Sequence, residues 1–499
     1  MSQSDVAPKT YLASTADKIA FTVCCMAERM NFALFAYGFL LLAIQAFSQK
    51  EADALLMLAG GSALLYIMYF VGGFTAQRLA GEFRAMVIGL GMIPTGNFLI
   101  GLAVITQDGT AMNPIAFVGL GMALAGSGFY RVNSVVVVSK VFPEENAARE
   151  TAFQALFWAE SLGMLVAITL AGFLVTVIGW STMYFIGSGI GILALSVAIL
   201  ALRNHWRDID RFLKPPHLTK APSLITMLAI AAGLTFIATL LYSFYQYMGW
   251  VLLSAVIFGV SYIIWQFKVA PEPRGQNVSI ASLAGVTVAL LIFGLFYEQG
   301  ISALVLFSKS YINLELATPL GQFTIAPNVF IVLTCLVVVL GAPVISAGLL
   351  FLEKRNITPS PVLLITIGIL INSISVLMLS LPASGSGAPP FSPFWMVGAY
   401  VLNAVSELFA LPAAFSLAFQ SMPESRVNAI SGVWFLNFGI SNYLGARAAV
   451  FVSIDSNGEI PGRDTFSEYF TILGSIGLSV AAAFLLVYVI SKQKKRSVS

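Results

Sequence analysis

Residues 19–47 read IAFTVCCMAERMNFALFAYGFLLLAIQAF, an apolar run that contains one acid, Glu28, and one base, Arg29. A helix needs about 20 mainly apolar residues to cross the hydrocarbon core of a bilayer, so this run is long enough to span a membrane. Because lipid offers no hydrogen-bond partner to an open backbone, the run must be helical. The sequence therefore predicts a transmembrane helix with two opposite charges near its middle.

The rest of the chain repeats this pattern. Of its 499 residues, 58% are hydrophobic and 10% are charged, and the mean hydropathy is +0.88, whereas about a quarter of the residues in a soluble domain are charged. The composition excludes an ordinary cytosolic enzyme, a disordered protein and a nucleic-acid-binding protein with a basic face. It predicts an all-α integral membrane protein. The predicted spans, about fourteen, cover residues 19–47, 54–77, 85–106, 113–139, 151–178, 181–202, 223–247, 250–267, 279–307, 324–350, 361–381, 393–419, 427–452 and 469–490.

Basic residues are distributed unevenly between the predicted loops. With a cytoplasmic N-terminus, 20 of the 26 lysines and arginines lie in cytoplasmic segments, three in outer loops and three within spans. Cytoplasmic loops of membrane proteins carry such an excess of basic residues. The distribution therefore predicts an even number of spans in the cytoplasmic (inner) membrane, with both termini in the cytoplasm and no cleaved signal peptide.

The loops predict two halves with an insertion between them. Transporters often consist of such repeats and hold their substrate at the repeat interface, near the bilayer midplane. For the inserted hairpin we expect a passive brace that faces lipid. The predicted parts are an N-terminal tail (1–17), a six-helix bundle (18–202), a linker (203–222), the transmembrane hairpin (223–268), a second linker (269–278), a second six-helix bundle (279–491) and a basic tail (492–499).

Ionisable residues inside the spans mark the candidate pathway. A charge costs roughly 2.5–3.5 kcal/mol at the centre of a membrane helix, so such residues normally face a bundle interior or a wet cavity. Some of them could simply pair to hold helices together, and Arg447, near the end of its span, is expected to reach the outer surface. The ionisable residues of the spans are Glu28, Arg29, Arg131, Glu160, Glu298, Glu407 and Arg447.

Proton chemistry inside the membrane must use these carboxylates, because both histidines, His205 and His217, lie in the polar linker. Burial favours the protonated form of a carboxyl group, and a neighbouring arginine favours the ionised form. A pair that opens and closes as the bundles move would take up and release a proton. Glu28 beside Arg29 has this character, and we expect Arg131 to face a carboxylate from the other half.

Seven segments, in order along the chain, are similar to motifs of one family. Residues 25–29, CMAER, are similar to its E-x-x-E-R, and residues 296–299, FYEQ, to its F-E-Q. The chain thus resembles the proton-dependent oligopeptide transporter family of the major facilitator superfamily. The resemblance implies the major facilitator fold, with two six-helix bundles plus the hairpin, and proton-coupled uptake of di- and tripeptides or peptide-like molecules by alternating access. The remaining similar segments are 72–81, 126–133, 156–163, 407–412 and 432–436.

The resemblance also implies roles for single residues. Glu28 would carry a proton in association with Arg29, and Glu298 would tune the gating salt bridges. Arg131 stands where a lysine lies close to the substrate carboxylate, and Glu407 stands where an acid meets the substrate amino group. The candidate substrate-binding residues are Arg29, Arg131, Glu160, Ser161, Asn328, Glu407 and Trp434.

Several positions depart from the family's motifs. Cys25 replaces the first acid of E-x-x-E-R, and Ala36 replaces a second arginine that helps to hold a peptide carboxylate. Ser161 replaces an asparagine, with Glu160 adding an acid beside it. Arg131 replaces the lysine, and its planar guanidinium group can bind a carboxylate through two hydrogen bonds. These changes keep a modified peptide, an amino-acid derivative or a cationic metabolite open as the substrate.

The sequence leaves three classes of function open. The first is a proton-coupled importer. The second is a facilitator or proton antiporter for a non-peptide metabolite, which the missing acid at Cys25 favours. The third is a membrane sensor or scaffold that does not transport, and the insertion cost of the midplane charges argues against it. The expected partners are a small-molecule substrate, protons and the lipid bilayer, and we expect no nucleic acid, cofactor, metal or enzymatic activity.

Overall fold

The computed structural model describes residues 15–108, 112–141, 147–202, 223–269, 280–318, 321–357, 359–385, 389–420, 427–453 and 461–496. Within these ranges the chain is almost entirely helical, and eleven helices are long and apolar enough to cross a membrane. The predicted helical membrane protein is confirmed, while the number of fourteen spans stays a prediction.

The chain divides into two compact units, residues 1–49 with 64–248 and residues 50–63 with 249–499. The helices of the first part of the chain are α1 (Thr15–Gln45), α2 (Glu51–Thr75), α3 (Glu82–Ile105), α4 (Pro114–Val141), α5 (Ala147–Leu202) and α6 (Leu224–Ser243). Those of the second part are α7 (Met248–Val269), α8 (Ile280–Gln299), α9 (Ala303–Tyr311), α10 (Ile331–Lys354), α11 (Pro361–Ser384), α12 (Phe394–Gln420), α13 (Val427–Ala448) and α14 (Arg463–Arg496).

Two of the predicted spans, 151–178 and 181–202, are joined without a loop. They form the two arms of α5, which are separated at Gly179 by a φ of 77° and a ψ of 164°. This φ lies in the region that only glycine adopts readily. A single glycine therefore makes the turn between the two arms.

The predicted span 279–307 is interrupted. α8 ends at Gln299 and α9 begins at Ala303. Between them the Gly300 amide donates to the Tyr297 carbonyl oxygen (3.0 Å), and the Ser302 hydroxyl donates to the Glu298 carbonyl oxygen (2.7 Å). A broken helix is tolerated at membrane depth when its freed backbone groups find such partners.

A short β-hairpin follows α9. Strand β1 (Glu315–Thr318) pairs antiparallel with β2 (Gly321–Thr324), with Glu315 opposite Thr324. The start of the predicted span 324–350 therefore belongs to this hairpin, and the helix α10 begins only at Ile331.

Glycines bring α3 and α4 into close contact in the first unit. A methyl group on Gly89 would lie 2.6 Å from the carbonyl oxygen of Gly126, and one on Gly96 would lie 2.6 Å from the carbonyl oxygen of Gly119. Small residues allow membrane helices to approach in this way. The close crossing fixes α4, which carries Arg131.

The helix α6 of the predicted hairpin also packs firmly in the first unit. Its Tyr242 is fully buried, and the ring lies 5.8 Å from that of Phe117 on α4 and 6.4 Å from that of Phe39 on α1. The opposite face carries exposed apolar residues such as Ile225 and Phe236. α6 therefore packs against the first unit on one face and exposes apolar residues on the other, and its expected role as a passive, lipid-facing brace stays a prediction.

Candidate functional site

The helix α1 places an acid and a base side by side in the interior of the first unit. Only 1% of Glu28 and 7% of Arg29 is exposed. The Arg29 Nε lies 3.4 Å from Glu28 Oε2, and its guanidinium carbon lies 4.8 Å from the centre of the Phe32 ring. Phe32 follows Arg29 by three residues, a spacing that puts two side chains on one face of a helix.

Glu160 on α5 joins this pair to a second arginine. Its Oε2 lies 3.5 Å from Arg29 Nε. Its Oε1 accepts a short hydrogen bond from Nη1 of Arg131 on α4. Glu160 therefore bridges two guanidinium groups and ties α1, α4 and α5 together through charge.

Access increases across this four-residue cluster. The side chains of Glu28, Arg29, Glu160 and Arg131 are 0%, 9%, 14% and 25% exposed, respectively. Among the described residues, neither carboxylate oxygen of Glu28 has a hydrogen-bond partner. Arg131 is therefore the cation of the cluster that a small anion reaches most easily, and Glu28 is sealed in.

Arg131 has a carboxylate partner within its own unit, because Glu160 belongs to the same unit as Arg131. The expected approach of Arg131 to a carboxylate from the other half of the chain stays a prediction. Ser161, the next residue of α5, is buried.

The sequence analysis does not identify two tyrosines that lie near the cluster. The Tyr130 hydroxyl donates to Cys25 Sγ over 3.3 Å, and Tyr69 on α2 is buried within electrostatic reach of Arg29. An aromatic residue inside an apolar run carries no signal that separates such a role from ordinary packing. Tyr130 adjoins Arg131 in sequence, and that adjacency is the one available hint.

The second unit holds a buried acid of a different kind. Glu298 on α8 is 0% exposed, and neither of its carboxylate oxygens has a hydrogen-bond partner among the described residues. Gly445 of α13 packs against its stem, since a methyl group there would lie 2.7 Å from Glu298 Cβ. The neighbouring Gln299 accepts a hydrogen bond of 2.6 Å from the Tyr469 hydroxyl.

The other candidates of this unit differ in their exposure, and one side chain lies outside the described part. Asn328 is buried between β2 and α10, and Glu407 on α12 is half-buried. The side chain of Trp434 lies outside the described residues. In the described part of the chain, no three His, Cys, Asp or Glu side chains come together as a metal site would require.

Comparisons with known proteins identify the family. Residues 83–461 match the model of the POT family (PTR2). Dipeptide and tripeptide permease B of Shigella dysenteriae serotype 1 is 24% identical over 451 residues, 88% of each chain. Dipeptide and tripeptide permease A of Escherichia coli is 22% identical over 449 residues, 89% of this chain and 86% of the permease.

Solved structures show the same fold. A peptide transporter POT in complex with alafosfalin superposes with a TM-score of 0.78 over 94% of each chain, at 19% identity. A POT family transporter in complex with 5-aminolevulinic acid superposes with a TM-score of 0.75, at 19% identity, over 95% of this chain and 96% of that one. The predicted major facilitator fold is confirmed. The chain belongs to the POT family, and it is an integral membrane transporter and not an enzyme.

Proposed function

We propose that this protein is a proton-coupled transporter that takes up di- or tripeptides, or peptide-like small molecules, across the cytoplasmic membrane by alternating access. Two relatives are named dipeptide and tripeptide permeases. Structures of similar fold hold alafosfalin or 5-aminolevulinic acid. These ligands are small polar molecules, as expected for cargo that enters a polar site between apolar helices.

The observation that carries the proposal is the buried cluster of Glu28, Arg29, Glu160 and Arg131. A cluster of this kind is expensive in an apolar bundle and marks a pathway by default. Arg131 offers a planar fork to a substrate carboxylate. Glu28, in contact with Arg29, is the proposed proton carrier on α1.

The second unit supplies the remaining proposed roles. Glu298 has no hydrogen-bond partner among the described residues that would hold it in its charged form, which suits a carboxyl group that binds and releases a proton. Glu407 is the proposed partner of the substrate amino group, and Ser161, Asn328 and Trp434 are proposed to line the site.

Uptake by proteoliposomes tests the proposal. We expect labelled dialanine to accumulate in vesicles with an alkaline interior, and we expect accumulation to stop when an ionophore collapses the proton gradient. Glu28→Gln should abolish gradient-driven uptake and retain exchange of dialanine at equal pH. Gradient-driven uptake at the wild-type rate in Glu28→Gln would remove Glu28 from the coupling role.

A further inference from the structure

The cation that a substrate carboxylate reaches first already has a partner in this protein. Arg131 Nη1 donates a short hydrogen bond to Glu160 Oε1, although the Arg131 side chain is 25% exposed. An incoming carboxylate therefore meets an arginine that is already hydrogen-bonded to Glu160. It has to compete with Glu160 for the same donors.

The surroundings of Glu160 determine how it responds to the loss of Arg131. Among the described residues, the ionisable groups that interact electrostatically with Glu160 are Cys25, Glu28 and Arg29 on α1, Tyr69 on α2 and Arg131 on α4. α3 also packs in this unit, but its acid and base, Glu82 and Arg84, lie at its beginning.

Arg29, the second cation, is shared with Glu28, whose Oε2 lies 3.4 Å from the same Nε atom. Arg131 is ion-paired with Glu160, whereas it acts on Glu28 only at longer range. If Arg131 turns to a substrate, two carboxylates are left with one guanidinium group in a largely buried site. Burial and a like charge both make the binding of a proton to one of them more favourable.

We propose that the carboxylate of the bound substrate displaces Glu160 from Arg131, and that Glu160 takes up a proton from water as it is displaced. This inference rests on the proposed function, since it takes a substrate with a free carboxylate. By linkage, acidification then strengthens substrate binding to the same extent that substrate binding drives proton uptake. Glu160 is thereby a coupling residue in addition to Glu28 and Glu298.

The pairing of Glu160 with both arginines also explains how the cluster is balanced without an acid at position 25. Residue 25 carries no acid here, and its sulfur accepts a hydrogen bond from Tyr130, the neighbour of Arg131. Without Glu160, the two arginines would share a single carboxylate and leave a net positive charge in the bundle, which is costly. The acid that the motif of α1 lacks is supplied from α5.

Calorimetry of dialanine binding to the purified full-length protein tests the proposal. Titrations in buffers of different ionisation enthalpy give the protons taken up per bound dipeptide. We expect net uptake with wild-type protein and dialanine, and none with the C-terminal amide of dialanine, which has no carboxylate. Glu160→Gln should lose the uptake, whereas the matched control Asp53→Asn, an acid outside the cluster, should keep it. Wild-type proton uptake by Glu160→Gln would overturn the proposal.

A second variant guards against poor folding of Glu160→Gln. Cys25→Glu combined with Glu160→Gln returns an acid to α1, and we expect it to restore proton uptake.

Infrared difference spectra with acetate, a carboxylate probe without a peptide, separate this proposal from the peptide assignment. A protonated-carboxyl band that is present in wild type and absent in Glu160→Gln supports Glu160, even if dialanine fails to bind and the peptide assignment falls. Absence of that band in wild type, together with no proton uptake, would overturn the role of Glu160.

Discussion

At the scale of single residues, two buried acids have opposite surroundings. Glu160 contacts two guanidinium groups, whereas the carboxylate of Glu298 has no hydrogen-bond partner among the described residues. Removing one partner of a buried ion pair leaves an uncompensated charge, while an isolated buried charge is a cost in itself. The same substitution should therefore have different effects on stability at the two sites.

We predict that Glu160→Gln lowers the free energy of unfolding by on the order of 3 kcal/mol, because two arginines then share one carboxylate. Glu298→Gln should leave the unfolding temperature in detergent equal or higher, because among the described residues no ion pair or hydrogen bond of the carboxyl group is lost. Thermal unfolding of both purified variants checks this. A larger loss of stability in Glu298→Gln than in Glu160→Gln would contradict it.

The sequence predicts the charged residues of the site better than their pairing. Glu28, Arg29, Arg131 and Glu160 are conspicuous because each interrupts an apolar run. Which carboxylate Arg131 meets depends on how α4 and α5 are rotated about their axes. No pattern along the chain encodes that rotation, so the pairing with Glu160 becomes visible only in three dimensions.

At the scale of elements, glycines set the distance between helices. A methyl group added to Gly96 of α3 would lie 2.6 Å from the Gly119 carbonyl oxygen and 2.7 Å from the Ala123 amide nitrogen. Both are backbone atoms of α4. Gly233 lies on the exposed face of α6 with nothing within 4 Å. The two glycines are in helices but differ in what surrounds them.

We predict that Gly96→Ala destabilises the protein by about 1–3 kcal/mol, because a methyl group there overpacks against backbone that cannot turn aside. Gly233→Ala is the matched control and should be neutral or stabilising by up to about 1 kcal/mol, since alanine is the better helix former. Denaturation of both variants under one condition measures the difference. Equal stability of the two would show that α3 and α4 are free to move apart.

Element boundaries show where sequence reasoning stops. The apolar runs predict the helices because lipid demands a closed backbone. They do not predict the turn at Gly300–Ser302, because Gly300 and Ser302 satisfy the freed backbone locally inside a run that stays apolar. The turn at Gly179 also lies inside an apolar run, and the backbone angles of that one glycine make it without a polar loop.

At the scale of the whole molecule, the positive-inside distribution predicts orientation. Of 26 basic residues, 20 fall on one side of the predicted topology. We predict that a fluorescent protein fused to the C-terminus fluoresces in bacterial cells, and that alkaline phosphatase at the same place is inactive, because both report a cytoplasmic position. Fusions truncated after Thr106, the last residue of a predicted span that ends on the outer side, should behave in the opposite way. Active phosphatase at the full-length C-terminus would reverse the topology.

The charge balance of the cluster in the first unit has an electrical consequence. Two carboxylates and two guanidinium groups carry no net charge when all four are ionised. Moving one elementary charge through a membrane potential is worth about 2.3 kcal/mol per 100 mV. While all four stay ionised, the cluster has no net charge on which the potential can act, and each proton bound by Glu28 or Glu160 leaves it with one positive charge. For a zwitterionic cargo that travels with a proton, the potential would pull on the proton, and a negative cell interior would draw the pair inward.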